Sequence, residues 1–285
     1  MPQTPLVTAE WLESRLRDPR VRIVDCRFNL MDVNAGKRAY ATGHIPGALY
    51  LDLERDLSGP KQPGGTGGRH PLPDPEELAS RLGRAGIGNE HVVVAYDEPP
   101  AGGMYAARLW WLLRWLGHEG VHVLDGGLSA WLEAGGHVET RVPAYPSASF
   151  TARARMELVT DAAGVQARGE GVALVDSRAR ARYAGETEPI DPKAGHIPGA
   201  LNVDWAEALG ADGRFRTPAE QAARFRDLEG QEAIVYCGSG VSASVNLLAL
   251  ELAGRPLGQG VRLYAGSWSD WVSDPGRAVA TGNQP

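Results

Sequence analysis

Short apolar runs alternate along this chain with longer segments in which apolar residues recur at helical spacing. The apolar runs predict short buried strands at 21–25, 48–53, 92–96 and 121–124 in the first half, and at 172–176, 201–203, 233–236 and 261–264 in the second. The helical signals lie at 10–17, from Pro75 onward, at 106–116, at 217–228 and at 245–252. Alternating strands and helices are typical of a parallel sheet covered on both faces. The pattern therefore predicts an α/β fold.

The second half of the chain repeats the first. Two motifs occur in both halves: GHIPGAL at 43–49 and 195–201, and an Asp-x-Arg triplet at 25–27 and 176–178. Such repetition indicates an internal duplication. The copies differ after the strand at 92–96 and its counterpart at 233–236, because the first runs into Asp97 and the second into Cys237. This difference predicts a scaffold copy and a chemical copy.

The copies also differ in length. His44 and Asp97 are 53 positions apart, whereas His196 and Cys237 are 41 positions apart. A polar, glycine-rich stretch at 58–75 accounts for the surplus and predicts a surface loop. Clustered prolines and small residues after the first copy mark a linker. We therefore expect a first domain at 1–140, a linker at 141–156 and a second domain at 157–285.

The composition is that of an ordinary soluble globular protein of 285 residues, with 43% hydrophobic residues, 22% charged residues and a formal net charge of −6. An acidic balance without a Lys/Arg cluster predicts no binding to nucleic acid or to an anionic membrane surface. The N-terminal residues lack a cationic start followed by a long apolar run, which argues against a signal peptide or a membrane span. Two cysteines are too few for a disulfide framework and lack zinc-site spacing, so we expect a cytoplasmic protein without a bound metal.

Cys237 lies where a strand must turn into a helix that starts near Ala243. The residues between them form a short loop: Gly238, Ser239, Gly240, Val241 and Ser242. The glycines permit positive φ and carry no side chain, so successive backbone N–H groups point towards one centre. The helix N-terminus adds unpaired N–H groups and favours thiolate over thiol. We therefore predict an anion cradle in which Cys237 is a nucleophile near neutral pH. A lone cysteine is otherwise most often a small buried hydrophobe, which is our interpretation of Cys26.

Together these motifs resemble the rhodanese superfamily, specifically the tandem-domain thiosulfate and mercaptopyruvate sulfurtransferases. The resemblance spans nearly the whole chain and rests on the paired GHIPGAL segments, Tyr96-Asp97 with ARLWW at 107–111, LDGGLSAW at 124–131, CGSGVSA at 237–243 and YAGSWSDW at 264–271. It implies two rhodanese-like domains, each a parallel sheet with helices on both faces. The first domain is then catalytically inactive, and the second carries the catalytic cysteine.

The resemblance further implies a two-step sulfur transfer. The thiolate takes sulfur from a small anionic donor to form a persulfide, and a thiol or cyanide accepts it; no metal or organic cofactor is implied. Arg182 matches the arginine that holds the donor's anionic end, although a solvated arginine in an Arg-rich turn is the alternative. Ser239 resembles a serine that polarises the substrate, and His44 the histidine that assists it. Because the motif of His44 recurs in both halves, a turn-stabilising role is its alternative. Arg178 is predicted to be structural.

Other functions remain as alternatives. Cysteine phosphatases share the strand, cradle and helix, but their loop needs an arginine at the place of Ala243. A non-catalytic binding module would be favoured by an acidic residue or serine at position 237. The neutral Gly238-Ser239 pair resembles mercaptopyruvate enzymes, whereas thiosulfate-selective enzymes have two cationic residues there. Ile190, however, stands where mercaptopyruvate enzymes often have a second substrate-binding arginine. We predict 3-mercaptopyruvate as the preferred donor with measurable thiosulfate turnover, and a thiosulfate-selective enzyme as the alternative.

Overall fold

The computed structural model describes residues 4–99 and 101–285, and the chain divides into two compact units. The first unit contains the chain up to Gly59, Pro73–Arg155 and Ala211–Phe215. The second unit contains Pro60–Leu72, Met156–Gly210 and Arg216–Pro285. Each unit contains one five-stranded sheet.

All strand pairs of the first unit are parallel, in the order β1-β5-β4-β2-β3. Its strands are β1 Leu6–Val7, β2 Val21–Asp25, β3 Leu49–Tyr50, β4 Val92–Tyr96 and β5 Val121–Leu124. Its helices are α1 Ala9–Glu13, α2 Ala35–Thr42, α3 Pro75–Arg84, α4 Met104–Trp115 and α5 Gly127–Glu133. The side chains of β2 and β4 are buried along their whole length, as is typical of central strands in a parallel sheet, and in β2 this includes the charged residues Arg22 and Asp25.

The second unit repeats this arrangement, with all-parallel pairs in the order β6-β10-β9-β7-β8. Its strands are β6 Val159–Thr160, β7 Val172–Asp176, β8 Ala200–Asn202, β9 Glu232–Tyr236 and β10 Val261–Tyr264. Its helices are α6 Ala162–Gln166, α7 Arg180–Ala184, α8 Pro218–Arg224, α9 Ala243–Leu252 and α10 Ser267–Trp271. The two sheets have the same topology, which confirms the predicted pair of parallel α/β domains.

The central strands β4 and β9 end at equivalent places. In both sheets the tyrosine that ends the central strand lies opposite the aspartate that ends its neighbour: Tyr96 opposite Asp25, and Tyr236 opposite Asp176. Asp97 and Cys237 are the next residues along the chain. They therefore occupy corresponding places at the carboxyl edges of their sheets, where open α/β sheets bind ligands.

The repeated Asp-x-Arg triplet forms a buried ion pair in each unit. Arg27 Nη2 lies 2.6 Å from the Asp25 carboxylate, and Arg178 Nη2 lies 2.6 Å from the Asp176 carboxylate. Each guanidinium also donates to the carbonyl oxygen of the glycine that opens the GHIPGAL motif, at 2.7 and 2.6 Å. The triplet therefore ties a strand end to the following turn, which is the structural role predicted for Arg178.

The boundaries between the units differ from the predicted ones. Most of the predicted linker packs on the first unit, where Ala148 N–H donates to Gly83 at 2.9 Å and Arg153 N–H to Leu116 at 2.9 Å. The glycine-rich stretch, predicted as a surface loop of the first half, contributes Pro60–Leu72 to the second unit. Composition marked these segments as irregular, but their long-range hydrogen bonds decide where they pack.

Candidate active site

The loop at 237–242, which we call the cysteine loop, follows β9 and is fixed by the start of α10. The carbonyl oxygens of Cys237 and Gly238 accept the N–H groups of Trp268 and Ser269, each at 2.9 Å. Cys237 N–H donates to Ser267 Oγ at 3.1 Å. Ser267 has a φ of 55°, which is strained for a residue with a side chain, and its hydroxyl contacts hold it there. These contacts place Cys237, which is 1% exposed, at the carboxyl edge of the sheet.

The amide groups of this loop are available as donors. Within the described part of the chain, no acceptor receives a hydrogen bond from the N–H groups of Gly238, Ser239, Val241, Ser242 or Ala243. Gly240 has a φ of 75°, and a Cβ there would overlap the Ala265 carbonyl oxygen. Only glycine fits this turn, so the tight path of the loop depends on it.

The first unit contains a corresponding cradle that holds an anion of its own. The Asp97 carboxylate accepts three backbone N–H groups, from Gly103 at 2.7 Å, Tyr105 at 2.8 Å and Ala106 at 3.2 Å. These donors lie at the N-terminus of α4, where unpaired N–H groups and the helix dipole favour negative charge. At the place that Cys237 occupies in the second unit, the first unit therefore binds a carboxylate by backbone amides.

The burial of Asp97 predicts a pH dependence of stability. Desolvation raises the pKa of its carboxyl from 3.8 to about 6, against the opposing hydrogen bonds from Ala106, Gly103 and Tyr105. The folded state keeps this proton to higher pH, so the stability contribution is complete below the ordinary pKa and is lost as the pH rises through about 6. Between about pH 4 and pH 7, we expect the free energy of unfolding to lose about 2–3 kcal/mol from this group. Urea unfolding of wild type and Asp97→Ala at several pH values measures this loss. If the free energy of unfolding changed equally with pH in both proteins, the raised pKa would not belong to Asp97.

Arg182 lies close to the cysteine loop. Its Nη1 is 3.5 Å from the point where a Cβ on Gly238 would stand. Its Nε and Nη2 donate to Glu188 at 3.1 and 2.7 Å, and Nη2 also lies 3.2 Å from Asp191. Burial raises the pKa of the Glu188 carboxyl, but hydrogen bonds from Arg182 and from backbone amides outweigh it, so the pKa is lowered overall. Buried carboxylates thus orient a guanidinium towards the loop.

Two residues at this site were missed by the sequence analysis. His70 Nδ1 lies 2.8 Å from Ser239 Oγ, and both side chains are buried. Arg69 forms an ion pair with Asp191, and its Nη2 is 2.9 Å from the Cβ point on Gly238. Both residues belong to the glycine-rich segment Pro60–Leu72. The available signal was the 12-residue surplus itself, an insertion that contains an Arg-His pair.

His44 has the turn-stabilising role that was its alternative. Its Nδ1 lies 2.8 Å from the Tyr40 carbonyl oxygen and its Nε2 lies 3.2 Å from that of Arg141. The ring stacks on Tyr40 with centroids 3.8 Å apart, and His196 stacks on its own tyrosine at the same distance. Ser239 is paired with His70 instead. We therefore remove His44 from the candidate active site.

Cys26 follows β2 in the first unit. Burial, followed by the charge of Asp25, raises the pKa of the Cys26 thiol well above its ordinary value. Both cysteines are free thiols. Over residues 4–99 and 101–285, the structure contains no group of three or more His, Cys, Asp or Glu side chains arranged to hold a metal ion. None of the helices in those ranges is long and apolar enough to cross a membrane.

The chain matches the rhodanese-like domain family at residues 8–134 and 161–274. It is 50% identical over 290 residues to a probable 3-mercaptopyruvate sulfurtransferase of Pseudomonas aeruginosa, covering 99% of this chain and all of that protein. It is 40% identical over 289 residues to a putative thiosulfate sulfurtransferase, SseB, of Mycobacterium tuberculosis, covering 97% of each. The crystal structure of SseA from Escherichia coli, a 3-mercaptopyruvate sulfotransferase, has a TM-score of 0.81 and 34% identity, covering 93% of this chain and 99% of that one.

Proposed function

Because this chain belongs to the rhodanese-like family and is a sulfurtransferase, we propose that it takes sulfur from 3-mercaptopyruvate and carries it on Cys237. One observation carries the assignment of the nucleophile. Cys237 occupies the place in the second unit that Asp97, whose carboxylate is bound by backbone amides, occupies in the first. The loop amides beside Cys237 have no acceptor among the described residues. A thiolate and a persulfide anion both gain from such donors.

The proposed reaction has two steps. The Cys237 thiolate attacks the thiol sulfur of 3-mercaptopyruvate, and a sulfur–sulfur bond forms as the carbon–sulfur bond breaks. The electron pair of the broken bond leaves with the carbon fragment as the enolate of pyruvate, which takes up one proton. A thiolate or cyanide then attacks the outer sulfur of the persulfide, which restores the cysteine thiolate and gives a new persulfide or thiocyanate.

The proton of the first step requires a carrier inside the site. Ser239 is two residues beyond the nucleophile in sequence. Its Oγ lies 2.8 Å from His70 Nδ1, and both side chains are buried. A hydroxyl held by an imidazole donates to the ketone oxygen of the donor as enolate charge develops, and the imidazole relays the proton. The pair suits a donor with a ketone, which supports 3-mercaptopyruvate over thiosulfate.

Arg182 is assigned to the anionic end of the donor. Replacing it by alanine removes one charge-assisted contact, so we expect kcat/KM for the donor to fall by an amount equivalent to about 1.5–3 kcal/mol, chiefly through KM. Arg180→Ala is the matched control, because Arg180 lies exposed on the same helix α7. Steady-state kinetics against donor concentration measure both variants. An unchanged KM in Arg182→Ala would remove Arg182 from the donor site.

The experiment that tests the proposed function compares donors on the purified protein. With cyanide or a small thiol as acceptor, we expect a higher kcat/KM for 3-mercaptopyruvate than for thiosulfate, with measurable turnover of both. A clear preference for thiosulfate would favour the alternative, a thiosulfate-selective enzyme, which the name of the relative from Mycobacterium tuberculosis also suggests.

Both cysteines are free thiols, which fits a reducing compartment such as the cytoplasm.

A further inference from the structure

The backbone of the glycine-rich segment Pro60–Leu72 is held against the start of α10 in the second unit. Gly67 N–H donates to Asp270 Oδ1 at 2.8 Å, and Arg69 N–H donates to Ser269 Oγ at 3.0 Å. Gly68 has a φ of 80°, and a Cβ there would overlap the Gly266 carbonyl oxygen. This close approach to the start of α10 fixes the position from which the Arg69 side chain extends.

Arg69 has donors that are not used by protein groups. Its Nη1 pairs with Asp191, whose side chain is 3% exposed. Its Nε is buried and, like Nη2, donates to no acceptor within the described ranges of the chain. Nη2 lies 2.9 Å from the point where a Cβ on Gly238 would stand. A buried Nε without a partner is costly. Nη2 is a second unused donor and is the one that faces Gly238, so an anion bound there can accept from Arg69.

Arg182 presents a matching donor to the same point. Its Nε and Nη2 are taken by Glu188 and Asp191, whereas Nη1 donates to no group in the described structure and lies 3.5 Å from the Cβ point on Gly238. The two guanidiniums share one carboxylate, because Arg69 contacts Asp191 Oδ1 and Arg182 contacts Asp191 Oδ2. Asp191 thus holds both arginines with their unused donors facing the residue after the nucleophile.

The arginines and carboxylates around this point balance one another, so they leave no excess charge to offset the thiolate proposed for Cys237. The cluster contains three guanidiniums and three carboxylates: Arg69, Arg178 and Arg182 with Asp176, Glu188 and Asp191. A singly charged anion therefore adds one negative charge that these ion pairs do not offset, and a doubly charged anion adds two. Because uncompensated charge is costly in a buried site, the cluster favours a monocarboxylate over a dianion such as thiosulfate.

We infer that Arg69 is a second donor-binding residue, which acts with Arg182 to grip the carboxylate of an α-keto thiol donor across two guanidiniums. This inference rests on the proposed function and assigns the specificity of the same site. Arg69 supplies a charge that the exposed, uncharged side chain of Ile190 does not. The assignment places a specificity residue in a segment far from the nucleophile in sequence.

The test compares two donors that differ only in the carboxylate. Mercaptoacetone keeps the ketone and the thiol of 3-mercaptopyruvate but lacks the acid group. In Arg69→Gln we expect kcat/KM for 3-mercaptopyruvate to fall about 10- to 100-fold, mainly through KM, while the value for mercaptoacetone stays unchanged. Arg69→Lys keeps the charge and the pairing with Asp191 but offers fewer donors, so it should recover part of the loss. Arg180→Gln, an exposed arginine on α7, should change neither value.

The outcomes are distinguishable. Equal losses on both donors in Arg69→Gln and Arg69→Lys would overturn the inference, because they would mean that Arg69 only orders the loop. An unchanged kcat/KM for 3-mercaptopyruvate would overturn it as well, because removal of a group that binds the donor must lower this value. In both cases an active wild type leaves the proposed function standing. A wild type that takes sulfur from neither donor would overturn the proposed function together with this inference.

Discussion

Replacing Cys237 by serine abolishes sulfur transfer and leaves the protein folded; this is the largest effect that we expect. A hydroxyl at this position is not ionised near neutral pH and cannot hold a transferable sulfur, so turnover should fall on the order of 10⁴-fold or more. The change alters one atom of a residue that forms no disulfide. We therefore expect the unfolding midpoint in urea to move little. Steady-state transfer to cyanide, with circular dichroism as the check on folding, measures both quantities.

Cys26→Ala is the matched control for this substitution. Cys26 is as buried as Cys237, at 1% exposure each, and burial raises the pKa of its thiol well above the ordinary value. We expect this variant to keep its turnover and to lose on the order of 1 kcal/mol of stability, from the lost packing of one sulfur atom. Turnover in Cys237→Ser, or its loss in Cys26→Ala, would contradict the assignment of the nucleophile.

Gly240→Ala should produce the second largest effect. The position has a φ of 75°, and the new Cβ would overlap the Ala265 carbonyl oxygen, so the cysteine loop must shift. A misplacement of about 1 Å in an active site costs roughly 100-fold in rate, and we expect a loss of that order. The left-handed backbone costs a further 1–2 kcal/mol of stability, approximately. Turnover and urea unfolding of the same preparation measure the two effects.

Gly254→Ala separates loop displacement from backbone strain. Gly254 follows the other end of α9 with a φ of 82°, and nothing lies within 4 Å of a Cβ built there. The variant therefore carries the same strain without the overlap, and we expect a similar loss of stability with full turnover. If Gly240→Ala were as active as Gly254→Ala, the tight path of the loop would not be needed for catalysis.

The duplication made much of this fold predictable from sequence. Repeated motifs and apolar runs located four of the five strands of each sheet, and the contrast between Asp97 and Cys237 drew attention to the ends of the central strands β4 and β9. Five helices, α2, α5, α6, α7 and α10, and the two-residue strands β1 and β6 were missed. In α2 only Gly36 and Tyr40 are buried, so the helix has no apolar stripe to read. Helix α7 has five residues and an Arg-rich sequence that reads as a turn.

Two candidate site residues were missed for a different reason. Arg69 and His70 lie in a glycine-rich insertion without periodicity, and composition alone predicts a loop there. Their partners are 122 positions away at Asp191 and 169 positions away at Ser239. Such pairings depend on where the segment packs, and no local sequence pattern reveals that position. The motif-based candidate, His44, was conspicuous because it recurs, and its recurrence reflects a structural role common to both units.

Mass spectrometry of the intact protein tests the central claim most directly. Cys237 is proposed to carry sulfur between donor and acceptor, so wild type exposed to 3-mercaptopyruvate without an acceptor should gain the mass of one sulfur atom. Peptide mapping should place that atom on Cys237, and addition of cyanide should remove it. Cys237→Ser should gain nothing. A protein that turns over the donor without any mass gain, or that gains the sulfur on Cys26, would contradict the account.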